Sequence, residues 1–194
     1  EPVEPIFSVL EKNAELSKNK QFKVFKWGLS DKNEYINCTY YPNSPAMSTS
    51  NPGMWGSNEE LLTALKGNLE NAPKNWWWAK YIPHFFYPHI VNRLRKNPQQ
   101  IKCELKTISE SIKECQIEEV NLLKVDCEGN ELKAINGIKD LDWGIIMQLI
   151  IEVHDINGRL NYIVEMLKGK NYSVDVIKEP SLENTSLYNV YARR

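Results

Sequence analysis

The chain has 194 residues, 42% of them hydrophobic and 25% charged, with 24 basic and 25 acidic side chains. At about 100–200 residues per domain this is one domain able to bury a core, and the composition excludes a disordered, collagenous or low-complexity chain. A net charge of −1 lacks the basic surplus that general phosphate-backbone binding requires, so no nucleic-acid partner is expected.

Cys38, Cys103, Cys115 and Cys127 form no CxxC pair and are too sparse for a disulfide framework. They point to a reduced, cytoplasmic setting. The longest apolar run, 145–151, falls far short of the ~20 residues of a membrane span, and no signal peptide is visible.

In chain order, residues 5–18 place Ile6, Val9, Leu10 and Leu16 near helical spacing behind Pro5, which suits a first helical turn. Residues 22–29 alternate apolar and Lys positions and predict a strand, closed by the turn 30–33. Residues 34–41 are also extended. Residues 42–58 hold three prolines and two glycines and predict a loop, after which Ser57 is placed to cap a short helix over 58–66. The stretch 73–90 crowds Trp76, Trp77, Trp78, Tyr81, Phe85, Phe86 and Tyr87 together, more than one face can bury. Residues 43–100 therefore read as an aromatic-rich insertion or lid.

Regular order returns with a strand over 101–107 and a helix over 108–116, capped by Ser109. Residues 120–126 and 145–153 are mostly apolar, the signature of parallel strands buried on both faces. Helices over 129–137 and 157–169 end at Gly137 and Gly169, natural C-caps. Residues 171–178 and 186–193 alternate and predict a terminal antiparallel pair. Strands alternating with helices predict an α/β fold with a mostly parallel sheet, whose chemistry belongs at the carboxyl ends of its strands.

Those ends carry polar groups. Strand 120–126 runs into Asp126-Cys127-Glu128, and strand 145–153 into Glu152-Val153-His154. Charged groups at the mouths of buried strands are costly unless used or paired. Asp126, Glu128 and His154 are thus candidates for proton transfer, although Asp126 or Glu128 could equally cap the helix that follows. The spacing is not diagnostic of a metal site, and no metal is expected.

Four segments in order, Glu1-Pro2 with Leu10-Glu11-Lys12-Asn13, Gly28-Leu29-Ser30-Asp31, Leu123-Lys124-Val125-Asp126-Cys127-Glu128-Gly129-Asn130-Glu131, and Ile150-Ile151-Glu152-Val153-His154, resemble the signatures of the FkbM-type S-adenosylmethionine-dependent methyltransferases. The resemblance covers most of the chain outside 43–100. It implies a class I, Rossmann-like sheet whose last strand is antiparallel. It implies S-adenosyl-L-methionine as cofactor, with Glu1 on the ribose hydroxyls, Ser30 and Asp31 beside the adenine, and Asp126 near the transferred methyl. The family's first strand and glycine-rich loop have no counterpart here, so the 194 residues read as a fragment that starts at the end of the second strand. Residues 1–194 then form a single methyltransferase domain.

The implied reaction is methyl transfer to a hydroxyl of a small molecule, a sugar or a carrier-bound natural product. His154 or Asp126 is the candidate base, with Glu128 and Glu152 positioning base or substrate. The segment from Tyr40-Tyr41 to Ser48-Thr49 resembles one in FkbM-like domains of polyketide and peptide synthases. This makes Tyr41 a substrate candidate and a larger synthase a candidate context. Trp77 is a further candidate for the acceptor pocket. With net charge −1, the tryptophan run beside Lys74 and Lys80 is read neither as a base-stacking platform nor as a membrane contact. Two other readings are a non-catalytic methyltransferase-like interaction domain and a nucleotide-binding oxidoreductase fragment, which cofactor retention would separate.

Overall fold

A computed structural model describes residues 1–18, 21–50, 58–127, 129–183 and 185–194. The Ser57 cap expected from the sequence lies outside the described residues. Six helices and seven strands are described: α1 (Glu4–Leu16), β1 (Gly28–Leu29), β2 (Glu34–Tyr40), α2 (Asn58–Glu70), α3 (Tyr87–Leu94), β3 (Gln99–Lys106), α4 (Ile108–Glu114), β4 (Leu123–Val125), α5 (Glu131–Asn136), β5 (Gln148–His154), α6 (Arg159–Gly169), β6 (Ser173–Ile177) and β7 (Leu187–Arg193). The α/β alternation holds, but the single, mostly parallel sheet does not. The strands form two mixed sheets, ordered β1-β3-β2 and β4-β5-β7-β6. Parallel ladders join β1 with β3 and β4 with β5, with one isolated parallel bridge at Val120↔Ile146; β2 on β3, β5 on β7 and β6 on β7 are antiparallel. The terminal antiparallel pair is present.

The larger sheet carries the core. Leu149, Ile151 and Val153 of β5 and Val190 of β7 are buried against Ile108 and Ile112 of α4, Ala134 and Ile135 of α5, and Ile163 and Leu167 of α6. Alternation along β5 follows from the two-residue period of a strand. Tyr172 closes this core from below, its hydroxyl donating to the Ile146 carbonyl at 2.7 Å and the Trp143 carbonyl at 3.3 Å. The smaller sheet has only a modest core of its own, around Val3, Cys38 and Cys103.

Element boundaries shifted where tertiary partners decide them. Of the expected strand 22–29, only Gly28 and Leu29 join a ladder. The preceding residues run along a cavity instead, and a strand exists only where it finds a neighbour. Helix α4 is capped by Thr107, whose hydroxyl accepts from the Glu110 N–H at 3.0 Å. Ser109 lies inside that helix, buried, and takes the Lys139 N–H at 2.8 Å. Strands β2 and β3 pair from Tyr40↔Gln99 onward, so residues 41–98 are one long excursion between two neighbours. Among the described residues no helix is long and apolar enough to cross a membrane.

Gly137 shows why a motif residue is a glycine. It ends α5, but its φ of −76° needs no glycine. The reason is proximity: a Cβ here would run into the Ser30 carbonyl oxygen. Ser30, buried at the end of β1, also donates its N–H to Lys106, and the Gly137 carbonyl accepts from the Ser109 N–H. The smaller sheet is thus pressed backbone to backbone against the helix layer of the larger one. Gly137→Ala is expected to cost about 1–3 kcal/mol, as overpacking does in a tight core. Urea denaturation measures it; an unchanged midpoint would mean the two layers separate freely.

Candidate functional site

A cavity of about 620 Å³ lies between the two sheets. Its wall is apolar, from Val24, Phe25, Leu29 and Leu105 among others. Its polar lining includes Glu1, Lys23, Ser50, Lys124, Asp126 and Asn130. Residues of β1 and of β4 both border it, and each of those strands is the outer strand of its sheet.

Asp126 reaches it through strand register. Val125 pairs with Ile151 in the parallel β4·β5 ladder, so Asp126, the first residue past β4, lies beside Glu152, which is still within β5 and does not itself line the cavity. Lys124 lies two residues before Asp126, on the same side of the strand, and its ammonium donates to the Asp126 carboxylate at 2.6 Å. That bond holds the Lys124 ammonium above its ordinary pKa. Burial raises the Glu152 carboxyl above the usual carboxylate range, and the nearby Asp126 charge adds to the effect. Burial, followed by the Glu131 charge, pushes the Cys127 thiol up to about 12, so it is no nucleophile at neutral pH.

Glu1 stands at the opposite wall. Its carboxylate accepts the Val3 N–H at 2.8 Å, and its backbone nitrogen lies 3.1 Å from the Phe25 carbonyl and 3.3 Å from that of Trp27. Residues 1–3 therefore lie along 25–27. Asn130 spans to the segment after β2, its side-chain amide donating to Ser50 Oγ at 2.7 Å. That segment is fixed by a two-way bridge between Thr39 and Thr49.

The turn after β4 is locked from beneath. Gly129 has φ of +92°, a left-handed value that glycine alone adopts cheaply. Glu131 is fully buried and accepts the Gly129 N–H at 2.6 Å. Arg159, at the start of α6, donates to the Gly129 carbonyl at 2.9 Å and to Glu131 at 3.4 Å. His154 is 5% exposed, with Nδ1 3.6 Å from Glu131 Oε1.

The sequence candidates therefore divide. Glu1, Asp126 and Glu152 lie on or beside the cavity. His154 is buried against Glu131 and is not among the residues lining it. Ser30 is buried against Gly137 and donates its hydroxyl to the Asp31 carboxylate at 3.1 Å; neither residue lines the cavity. Tyr41 is buried apart from it, although Ser48, Thr49 and Ser50 just beyond do line it. Trp77 is exposed, edge-on to Tyr81. Glu128 lies outside the described residues. Sequence reading missed Lys124, Asn130, Ser50, Glu131 and Arg159 as site or supporting residues. Three of these sit inside the signature run itself, and the polar residues of the turn after a buried strand were the available signal.

A model of the methyltransferase FkbM domain matches residues 6–174. The chain belongs to the FkbM methyltransferase domain family. This FkbM-family chain is 28% identical over its whole length to the 31-O-demethyl-FK506 methyltransferase FkbM of Streptomyces tacrolimicus, covering 70% of that protein. It is 28% identical to part of the AMB antimetabolite synthetase AmbE of Pseudomonas aeruginosa, covering 9% of it. Methyltransferase 1 of Beauveria bassiana is 25% identical over 91% of the chain, which covers 62% of that relative. No solved structure matches.

Two outcomes follow. Glu131→Ala strands Arg159 and the Gly129 N–H, and is expected to cost about 3–5 kcal/mol, the usual penalty for breaking a buried pair. Glu152 has a folded pKa above its ordinary 4.5, so its contribution to stability is intact below about pH 4.5 and is lost as pH rises through the raised value. Glu152→Gln is thus expected to be more stable than wild type at neutral pH and equal to it in acid. Urea midpoints across pH check both variants; a Glu152→Gln protein less stable at neutral pH would contradict the assigned strain.

Proposed function

We propose that this FkbM-family chain is an S-adenosylmethionine-dependent O-methyltransferase domain, 1–194, with 43–100 as an insertion, binding its cofactor at the strand-end rim of the inter-sheet cavity. The observation that carries this reading is the Val125↔Ile151 register, which sets Asp126, at the carboxyl end of β4, beside Glu152 of its parallel neighbour β5. Open α/β sheets take their ligands at that end. The reading also takes the two sheets as parts of one class I sheet. The outer strands β1 and β4 border the same apolar space, where a further strand would join them.

The donor set suits the cofactor. A carboxylate accepts from two vicinal hydroxyls, the role assigned to Glu1. The Asp126 carboxylate, oriented by Lys124, is the group at the rim that attracts a cationic centre. Bound S-adenosylmethionine supplies a methyl group on a sulfonium. Asp126 receives the acceptor hydroxyl, orients it and takes its proton as the oxygen is methylated. Lys124 holds the Asp126 carboxylate in place. His154, held by Glu131, steadies the end of β5. The acceptor is a small-molecule, sugar or carrier-bound hydroxyl. One relative's name specifies an O-demethyl substrate and another's a synthetase, which supports that class and a synthase context.

Calorimetric titration of the full-length protein with S-adenosylmethionine tests the reading. Saturable binding is expected, weakened by Glu1→Ala and tightening as pH rises through the raised Glu152 value. In assays of labelled methyl transfer to alcohols, Asp126→Asn is expected to lower turnover about 10²–10⁴-fold. Binding of NAD in place of S-adenosylmethionine, or turnover unchanged in Asp126→Asn, would overturn it.

A further inference from the structure

The aromatic stretch between α2 and α3 has no role in the site above. It consists of three consecutive 3-10 turns, Lys74–Trp76, Ala79–Tyr81 and His84–Phe86. Trp76, Trp77, Trp78, Tyr81, Phe85 and Phe86 are all between 46% and 69% exposed. Isolated exposed apolar residues are ordinary, but six large rings within eleven residues are not. The segment is nevertheless anchored. Ala79 is fully buried, Tyr87 and Val91 at its far end are buried, and α2 packs against both α3 and the second turn. The rings are presented on a fixed base.

Charge is segregated along the sequence here, while the helix α2 packed against the segment carries Glu59 and Glu70. Residues 71–103 contain Lys74, Lys80, Arg93, Arg95, Lys96 and Lys102 and not one Asp or Glu. The rest of the chain holds eighteen basic and twenty-five acidic residues, so the overall −1 conceals a cationic segment.

We propose that this segment is a docking surface for an anionic lipid bilayer, seating the domain on a membrane without crossing it. Trp and Tyr rings favour the headgroup region, and lysine stems lie along apolar surface while their ammonium groups reach lipid phosphates. Trp76 stacks on Trp78 (centroids 6.0 Å), Phe85 packs on Phe86 (4.3 Å), and Trp77 meets Tyr81 edge-on (6.2 Å). The cations flanking the rings are Lys74 and Lys80, the latter 5.1 Å over the Tyr81 ring. These are point charges suited to phosphate headgroups rather than the Arg forks that grip protein carboxylates. The inference is independent of the cofactor reading.

Co-sedimentation of the full-length protein with phosphatidylcholine vesicles, with and without about one-third phosphatidylglycerol, tests it. Binding is expected only with the anionic vesicles, with a blue shift of tryptophan emission. Trp77→Ser with Phe85→Ser is expected to weaken binding at least about tenfold, from the apolar area withdrawn. Lys74→Glu with Lys80→Glu is expected to weaken it about tenfold or more at low salt. Circular dichroism establishes that both variants fold. Protein left in the supernatant with either vesicle, variants that bind as wild type does, or rings buried in a solution dimer by sedimentation analysis would each overturn the proposal. So would binding to single-stranded oligonucleotides in preference to vesicles.

Discussion

The Ser30 carbonyl and the Gly137 backbone meet with no room for a side chain between them, and the architecture depends on that contact. Among the described residues the two sheets share no ladder, so their relative position rests on side-chain packing and on this backbone junction. A junction between backbones is stiffer than one between rotamers, because it has no χ angles to yield. It fixes β1, and with it the wall carrying Glu1, at a set distance from the helices behind β4 and β5.

The second constraint is the pairing of β4 with β5. A register shift of one residue would turn Val125 and Ile151 out of the core, so burial specifies the register and the register places Asp126 beside Glu152. The turn beyond is held by a different device, a buried carboxylate. Glu131 binds the Gly129 amide, faces His154 and is faced by Arg159, all in low dielectric. Two acids only five residues apart thus play opposite parts: Asp126 meets a cavity, while Glu131 is sealed beneath it.

Much of this was legible in the sequence, for physical reasons. Strands β4 and β5 were read from apolar runs, the β6·β7 pair from alternation, and the helices from apolar spacing and glycine stops. The rim acids followed from where those strands end. What failed was long-range. Residues 22–27 carry strand periodicity, but no local signal reports whether a neighbouring strand is there to pair with them. The parallel bias came from apolar runs, which do not reveal that β3 lies between β1 and β2, returning antiparallel to one of them after a long excursion. Gly137 is the C-cap of α5 that the sequence predicts, but the second constraint on it, a carbonyl more than a hundred residues away in sequence, has no local signal. His154 was expected at the rim because it follows the strand. Its side chain falls on the face that Glu131 and Arg159 close over, and neither neighbour is predictable from spacing. The aromatic stretch is too rich for one face to bury, and of its seven rings all but Tyr87 are exposed.

The central claim is that a single rim, built from both sheets, holds the cofactor. Hydrogen exchange of the full-length protein with and without S-adenosylhomocysteine tests it most directly. Residues 1–3 and 123–131 are expected to gain protection together, with the exposed turns over 74–86 unchanged. Protection confined to one wall, or absent from both, would contradict the account.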